Sequence, residues 1–265
     1  MKLSTRNIAL VAIFAALYYV LSLVSPYVPA AGLPDLQIKL EALMASVFGF
    51  VLGPYLGGLA AFLGAFITWV LPPGGMNPLN APFLLSPPLN AIIVGLIFYK
   101  KWKWAFALFG LLIAVFLFLP PSQPISSYYY VPAAVLWDKI IALLLIVPCI
   151  KSAKRLSATK YLFILFFFIS FIGNQADNMW GADVFAVPFV YEVIYGPALT
   201  GLQALLGVPT LLDVVRYLFV LSPFVYPAVR FLQAILATII AVPLMRALRN
   251  TKWIVQEKSI IEQQA

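Results

Sequence analysis

Residues 40–70, LEALMASVFGFVLGPYLGGLAAFLGAFITWV, constrain the fold more than any other part of the chain. The stretch is almost wholly apolar, and Gly53-Pro54 interrupts it in the middle. Small residues sit at Ala45, Gly49 and Gly53 before the break and at Gly57, Ala61 and Ala65 after it. A second row follows at Ala60, Gly64 and Thr68. Spacing of four places each row on one helix face, where missing side chains let helix backbones approach closely in lipid. Proline cannot continue the first helix, and glycine tolerates the turn. The pattern predicts two tightly packed transmembrane helices joined by a very short turn at 53–58. By itself it specifies a packed membrane bundle and nothing about function.

The rest of the chain agrees. Of 265 residues, 63% are hydrophobic and 10% charged, and the mean hydropathy is +1.00. Soluble domains do not have this composition. A crossing helix takes about 20 apolar residues, so about six to eight spans fit. The expected fold is all-α, a polytopic transmembrane helical bundle. It forms a single domain over 1–252, followed by a polar cytoplasmic tail at 253–265. The first apolar run is too long for a signal peptide and lacks a small-residue cleavage site, so it remains as the first helix.

A net charge of +8 raises nucleic acid as a partner, but the distribution excludes it. The basic residues cluster at Lys2/Arg6, Lys100-Lys101-Lys103, Lys151-Lys154-Arg155-Lys160 and Arg246-Arg249-Lys252-Lys258, the short flanks of apolar runs. That is the positive-inside pattern of cytoplasmic loops. Seven of the nine acids (Asp35, Glu41, Asp138, Asp177, Asp183, Glu192 and Asp213) fall in or near the alternate segments. Both termini are therefore expected in the cytoplasm, and the lasting contact is with membrane lipid.

The remaining spans follow from the apolar runs. Helices are expected over 7–24, 89–99, 105–119, 133–150, 161–173 and 223–248, which with the opening pair makes eight. The outer segments 25–38 and 72–88 are too rich in proline and glycine for helix. Between 174 and 217 the apolar pieces are broken by Pro188, Pro197 and Pro209. Short helices lying on or dipping into the outer face are expected there.

Charges at membrane depth are costly and by default mark a site or pathway. Arg230 lies inside the last apolar run, with Asp177 or Glu192 as candidate partners. Asp138-Lys139, Glu41 and Arg216 are equally compatible with interfacial snorkelling. The segment Asn174, Gln175, Ala176, Asp177, Asn178, Met179, Trp180 gathers amides, a carboxylate and an indole, a mixture suited to a small organic ligand. The same residues also serve as helix caps. Tyr128, Tyr129, Tyr130 and Trp137 suit either a membrane-interface belt or a pocket wall. Asn77, Met76 and Asn80 are weaker candidates.

Several chemistries are absent. With no histidine, the commonest metal ligand and neutral-pH base is missing. A single cysteine, Cys149, supports neither a disulfide framework nor a Cys-rich metal site. No Walker loop, HExxH or GxSxG occurs. No catalytic residue, metal or cofactor is expected.

Three features in order carry a resemblance. An AxxxA pair (Ala12, Ala16) in the first helix precedes GPYLGG at 53–58, and a small-residue-rich helix follows. Over roughly 7–72 the chain resembles the substrate-binding S components of energy-coupling factor (ECF) transporters. YPAVR at 226–230 followed by PLMRAL is similar to archaeal members. The resemblance implies that Ala12 and Ala16 contact a transmembrane coupling subunit served by separate ATPases. It also implies that 25–38 gates the site, and that a vitamin or related small molecule binds at the outer loops. The family core has six helices, so an inserted hairpin within 89–150 is expected, and the absence of histidine argues against the nickel and cobalt branch. The leading reading is a micronutrient-capture subunit. An ion-coupled secondary transporter using Arg230 stands beside it, as does a membrane transferase or hydrolase using Asp177, Asp183 or Glu192.

Overall fold

The structure is a computed structural model describing residues 4–24, 27–30, 33–72, 74–156 and 161–248; the expected tail at 253–265 lies outside them. α1 (Thr5–Val24) leads into a short antiparallel hairpin of β1 (Tyr27–Ala30) and β2 (Leu33–Lys39), in which Tyr27 pairs with Lys39 and Val28 with Ile38. This hairpin occupies the segment expected to gate the site.

α2 (Met44–Val70) contains the break. Gly53 has a φ of 76°, outside the helical region, and Pro54 restarts the helix. The bend reverses the chain. Glu41, in the helical turn Leu40–Leu43 just before α2, and Thr68, near the far end of α2, line the same cavity. A Cβ on Gly57 would lie 2.7 Å from the Phe48 carbonyl oxygen, whereas a straight helix would separate them by about 13 Å of rise. The hairpin expected over 40–70 is present, with its turn reduced to Gly53 and with Gly57 and Gly58 inside the second arm.

α3 (Ser86–Phe98) lies in the crook of this hairpin. Pro87 and Pro88 sit in its first turn, where a missing N–H costs nothing, so the helix begins earlier than residue 89. Gly49 abuts Ala91 and Val94, Gly58 abuts Ile92, and Gly95 abuts Pro54. The small-residue rows thus serve close backbone approach, as their spacing implies. The Tyr99 hydroxyl donates to the Phe50 carbonyl at 2.9 Å, fastening the end of α3 to the first arm.

α4 (Trp102–Phe118), α5 (Ile125–Tyr128) and α6 (Tyr130–Leu156) follow, then α7 (Leu162–Phe185). α7 departs most from expectation. It does not end at Gly173 but continues through Asn174 to Trp180, the segment read as a loop. Two of the polar side chains there, Asn174 and Asp177, find partners in the core rather than in a turn. Ser46 Oγ donates to Asn90 Oδ1 at 2.8 Å, and Asn90 Nδ2 donates to Asn174 Oδ1 at 2.8 Å. This ladder stitches α2, α3 and α7 together, and all three residues are fully buried. Asn90→Leu is expected to cost about 1–3 kcal/mol by stranding two buried polar groups. The readout is a lowered thermal midpoint in detergent, and an unchanged midpoint would contradict the ladder's role.

After α7 come a π-helical turn (Phe189–Ile194), α8 (Gly196–Leu206) and α9 (Leu211–Leu221), then α10 (Tyr226–Leu248). These are the short helices expected in this region. α8 and the stretch Leu211–Phe224 meet at 83°. Among the described residues six helical stretches are long and apolar enough to cross a membrane, or seven if that bent pair is one span. This lies within the six to eight spans expected; it is fewer than the eight runs counted along the chain because α4 falls short at 17 residues and the hairpin Glu41–Val70 counts once. Arg6, Lys100, Lys101 and Lys151 lie at one end of the bundle, with Lys101 over the Tyr55 ring beside the Gly53 turn. The cavity is at the other.

Candidate ligand site

The cavity holds about 230 Å³ and is enclosed by the end of α1, both ends of α2, the start of α3, α6, the end of α7, α9 and the start of α10. Its depth follows from the short first arm of the hairpin. From Glu41 to Gly53 a helix rises only about 18 Å, less than the ~30 Å of hydrocarbon in a bilayer. The cavity floor therefore lies at membrane depth, where polar groups are expensive and their presence informative.

Its walls divide into two kinds. Tyr18, Trp69, Phe83, Phe185, Phe219 and Tyr226 supply aromatic faces, while Glu41, Asn80, Lys139, Asp177, Asn178 and Arg230 supply polar groups. Arg230 Nη2 pairs with Asp177 Oδ1 at 3.0 Å, and its Nη1 donates to Gln233 Oε1 at 2.9 Å. Lys139 Nζ pairs with Asp138 Oδ1 at 2.9 Å. All four charged side chains are buried. Pairing makes their burial tolerable, yet apolar residues of the same volume would generally serve stability as well or better. The Asn178 amide nitrogen has no protein partner among the described residues.

Trp69 is held by an indole N–H donating to the Asn77 carbonyl at 2.8 Å, and Asn77 Oδ1 accepts from the Leu79 N–H. Tyr195 props the same stretch from outside the cavity. Its hydroxyl donates to the Leu79 carbonyl, and its ring packs edge-on against Phe83 and Phe185. Burial raises the Tyr195 hydroxyl above its ordinary pKa, so it remains a donor.

Of the residues singled out in the sequence, Asp177, Asn178 and Arg230 line the cavity, together with Glu41, Lys139 and Asn80. Asn174 belongs to the polar ladder below it. Trp180, one turn beyond Asp177, is not part of the lining. Glu192 is exposed on the π-helical turn, so Arg230's partner is Asp177. Tyr129 and Trp137 are 66% and 45% exposed on the outside of the bundle, and Met76 is exposed too. Asn77 orients Trp69 through its backbone and does not line the cavity. Asp183 and Glu192 are also absent from the lining, so the three carboxylates considered for catalysis do not converge there. Tyr18, Trp69, Phe83, Phe185, Phe219 and Tyr226 escape sequence reading, because an aromatic at a helix end looks the same in a pocket wall and in an interface belt.

Ala12 and Ala16 are exposed on α1, and Ala12 lies in a shallow groove with Ile8, Val11, Leu59 and Leu63. The chain matches the family model described as ECF-type riboflavin transporter, S component, over residues 2–120. No curated protein and no solved structure matches it. The matched stretch takes in α1, the α2 hairpin, α3 and α4, and with them one side of the cavity. Over that stretch, 119 of the 265 residues, the chain is similar to the S components of ECF transporters, multi-pass cell-membrane subunits that capture a small-molecule substrate and work with a transmembrane coupling subunit and ATPases.

Proposed function

We propose that the cavity takes riboflavin or a close flavin from the extracellular side, and that the chain does no chemistry on it. One observation carries the reading: a cavity in which aromatic faces surround a buried Arg230–Asp177 pair. Flat heterocycles with polar edges are bound by apolar and aromatic walls plus a few oriented polar groups. The family model that matches residues 2–120 is that of riboflavin transporter S components. Asp177, Asn178 and Arg230 would meet the polar edge, and Tyr18, Trp69 and Tyr226 the ring faces; Asn174 supports them from below.

The basic end of the bundle faces the cytoplasm, with both termini there, in keeping with the positive-inside distribution of lysine and arginine. Residues 1–252 act as one membrane domain with 253–265 as a cytoplasmic tail. Ala12 and Ala16 form the surface that meets the coupling subunit, since small exposed residues let another helix approach closely. The carboxylates that an enzyme would need are dispersed, which supports capture without catalysis.

Titrating the purified chain with riboflavin tests this. Saturable one-to-one quenching of flavin fluorescence is expected, with a matching change in tryptophan emission from Trp69. No saturable signal up to the solubility limit of the flavin would sink the assignment.

A further inference from the structure

Half of the cavity's lining lies beyond residue 120, outside the stretch shared with the riboflavin family, and that half includes Lys139, Asp177 and Arg230. Within it, α9 and the turn after it contribute Leu218, Phe219 and Ser222. We infer that α9 is a ligand-selecting wall and that Arg216 is the residue positioning it. This rests on the cavity being the substrate site, as proposed above.

An isolated helix of 11 residues is marginal, so a wall built from one must be held by tertiary contacts. Two anchors hold α9. Phe219 packs edge-on between Phe116 of α4 and Phe185 of α7, with ring centroids 5.2 Å and 5.9 Å away. Arg216 makes the other. Its Nε donates to the Pro121 carbonyl at 3.3 Å and its Nη2 to the Gln123 carbonyl at 2.9 Å. Nη1 pairs with Asp213 Oδ1 at 3.0 Å, and the guanidinium lies 3.4 Å above the Tyr128 ring. It is buried, yet it is not part of the cavity lining. Fork geometry and stacking together use the features that distinguish arginine from lysine. The guanidinium thus ties the cavity wall to the stretch between α4 and α6, and fixes how far Phe219 and Leu218 project toward a ligand.

A fixed wall discriminates by size, so selectivity is the readout that mere loss of stability would not move. The probes are riboflavin and lumichrome, which has the flavin's methylated tricyclic skeleton without the sugar-alcohol chain. Arg216→Ala and Arg216→Lys are each expected to weaken riboflavin on the order of tenfold, because a fraction of the anchor's hydrogen-bond energy must then be supplied by the ligand to order the wall. Lumichrome should change much less, so the affinity ratio shifts in both variants and lysine does not rescue it. Phe219→Leu keeps the Arg216 anchor and should shift the same ratio, which guards against misfolding of the Arg216 variants. An unchanged ratio, or equal weakening of both ligands, overturns the inference while leaving the riboflavin assignment standing. If the wild-type chain binds neither ligand, the assignment itself fails and takes the inference with it.

Discussion

Arg230→Met is expected to abolish flavin binding and to destabilise the protein by about 3–5 kcal/mol, the usual cost of leaving one partner of a buried pair uncompensated. The stranded group is Asp177, whose Oδ1 loses the Nη2 donor at 3.0 Å, while Gln233 loses the Nη1 donor at 2.9 Å. Gln233 is fully buried, and Asp177 is left with only the cavity to face. Asp177→Asn should behave similarly, by stranding the cation instead. The double variant Arg230→Met with Asp177→Leu separates the two roles. Removing both charges should restore much of the stability, since apolar replacement of a buried pair is often neutral or favourable, while binding stays lost. Thermal unfolding in detergent with and without riboflavin, beside fluorescence titration, reads both quantities. Wild-type affinity in the double variant would show that the pair is structural and that the ligand sits elsewhere in the cavity.

This pair also shows what sequence can reveal of the site. An arginine inside a run as apolar as 223–248 has few tolerable environments, so Arg230 stands out as buried and paired. Choosing its partner is harder. Asp177 and Glu192 looked equivalent along the chain, and the choice turns on α7 continuing for three turns past Gly173 while Glu192 ends on an exposed π-helical turn. The run NQADNMW looks like a loop because asparagine and aspartate favour caps and turns when nothing else satisfies them. Here Asn90 meets Asn174 and Arg230 meets Asp177, and those two partners are distant in sequence from α7. Lys139 and Glu41 were ambiguous for a related reason: a charge near a helix end can snorkel, and only packing shows that these two are 3% and 4% exposed. The small-residue rows were the most legible feature, because close backbone contact is the main use lipid leaves for them.

The second large effect is expected at one of those contacts. Gly95→Ala should prevent the bundle from assembling, leaving little monodisperse protein after detergent extraction. A Cβ at Gly95 would lie 2.6 Å from the Pro54 Cα. The obstacle is backbone at the reversal itself, where Gly53 already holds a positive φ and Pro54 is rigid, so no side chain can swing aside. The first arm of α2 also meets α3 closely at Gly49, where a Cβ would be 2.5 Å from the Ala91 carbonyl oxygen, so α3 cannot slide away from the turn to make room. Gly201→Ala is the control. It lies within α8 with nothing within 4 Å of the added Cβ, and alanine should be neutral or stabilising by up to about 1 kcal/mol. Size-exclusion profiles and thermal midpoints of the two variants make the comparison. A monodisperse Gly95→Ala protein with a wild-type midpoint would mean that α3 is not seated in the crook. The consequence would reach the ligand site, because the same reversal brings Glu41 and Thr68 to one cavity. A bundle that tolerates Gly95→Ala but still binds flavin would need another way of bringing the two ends of α2 together.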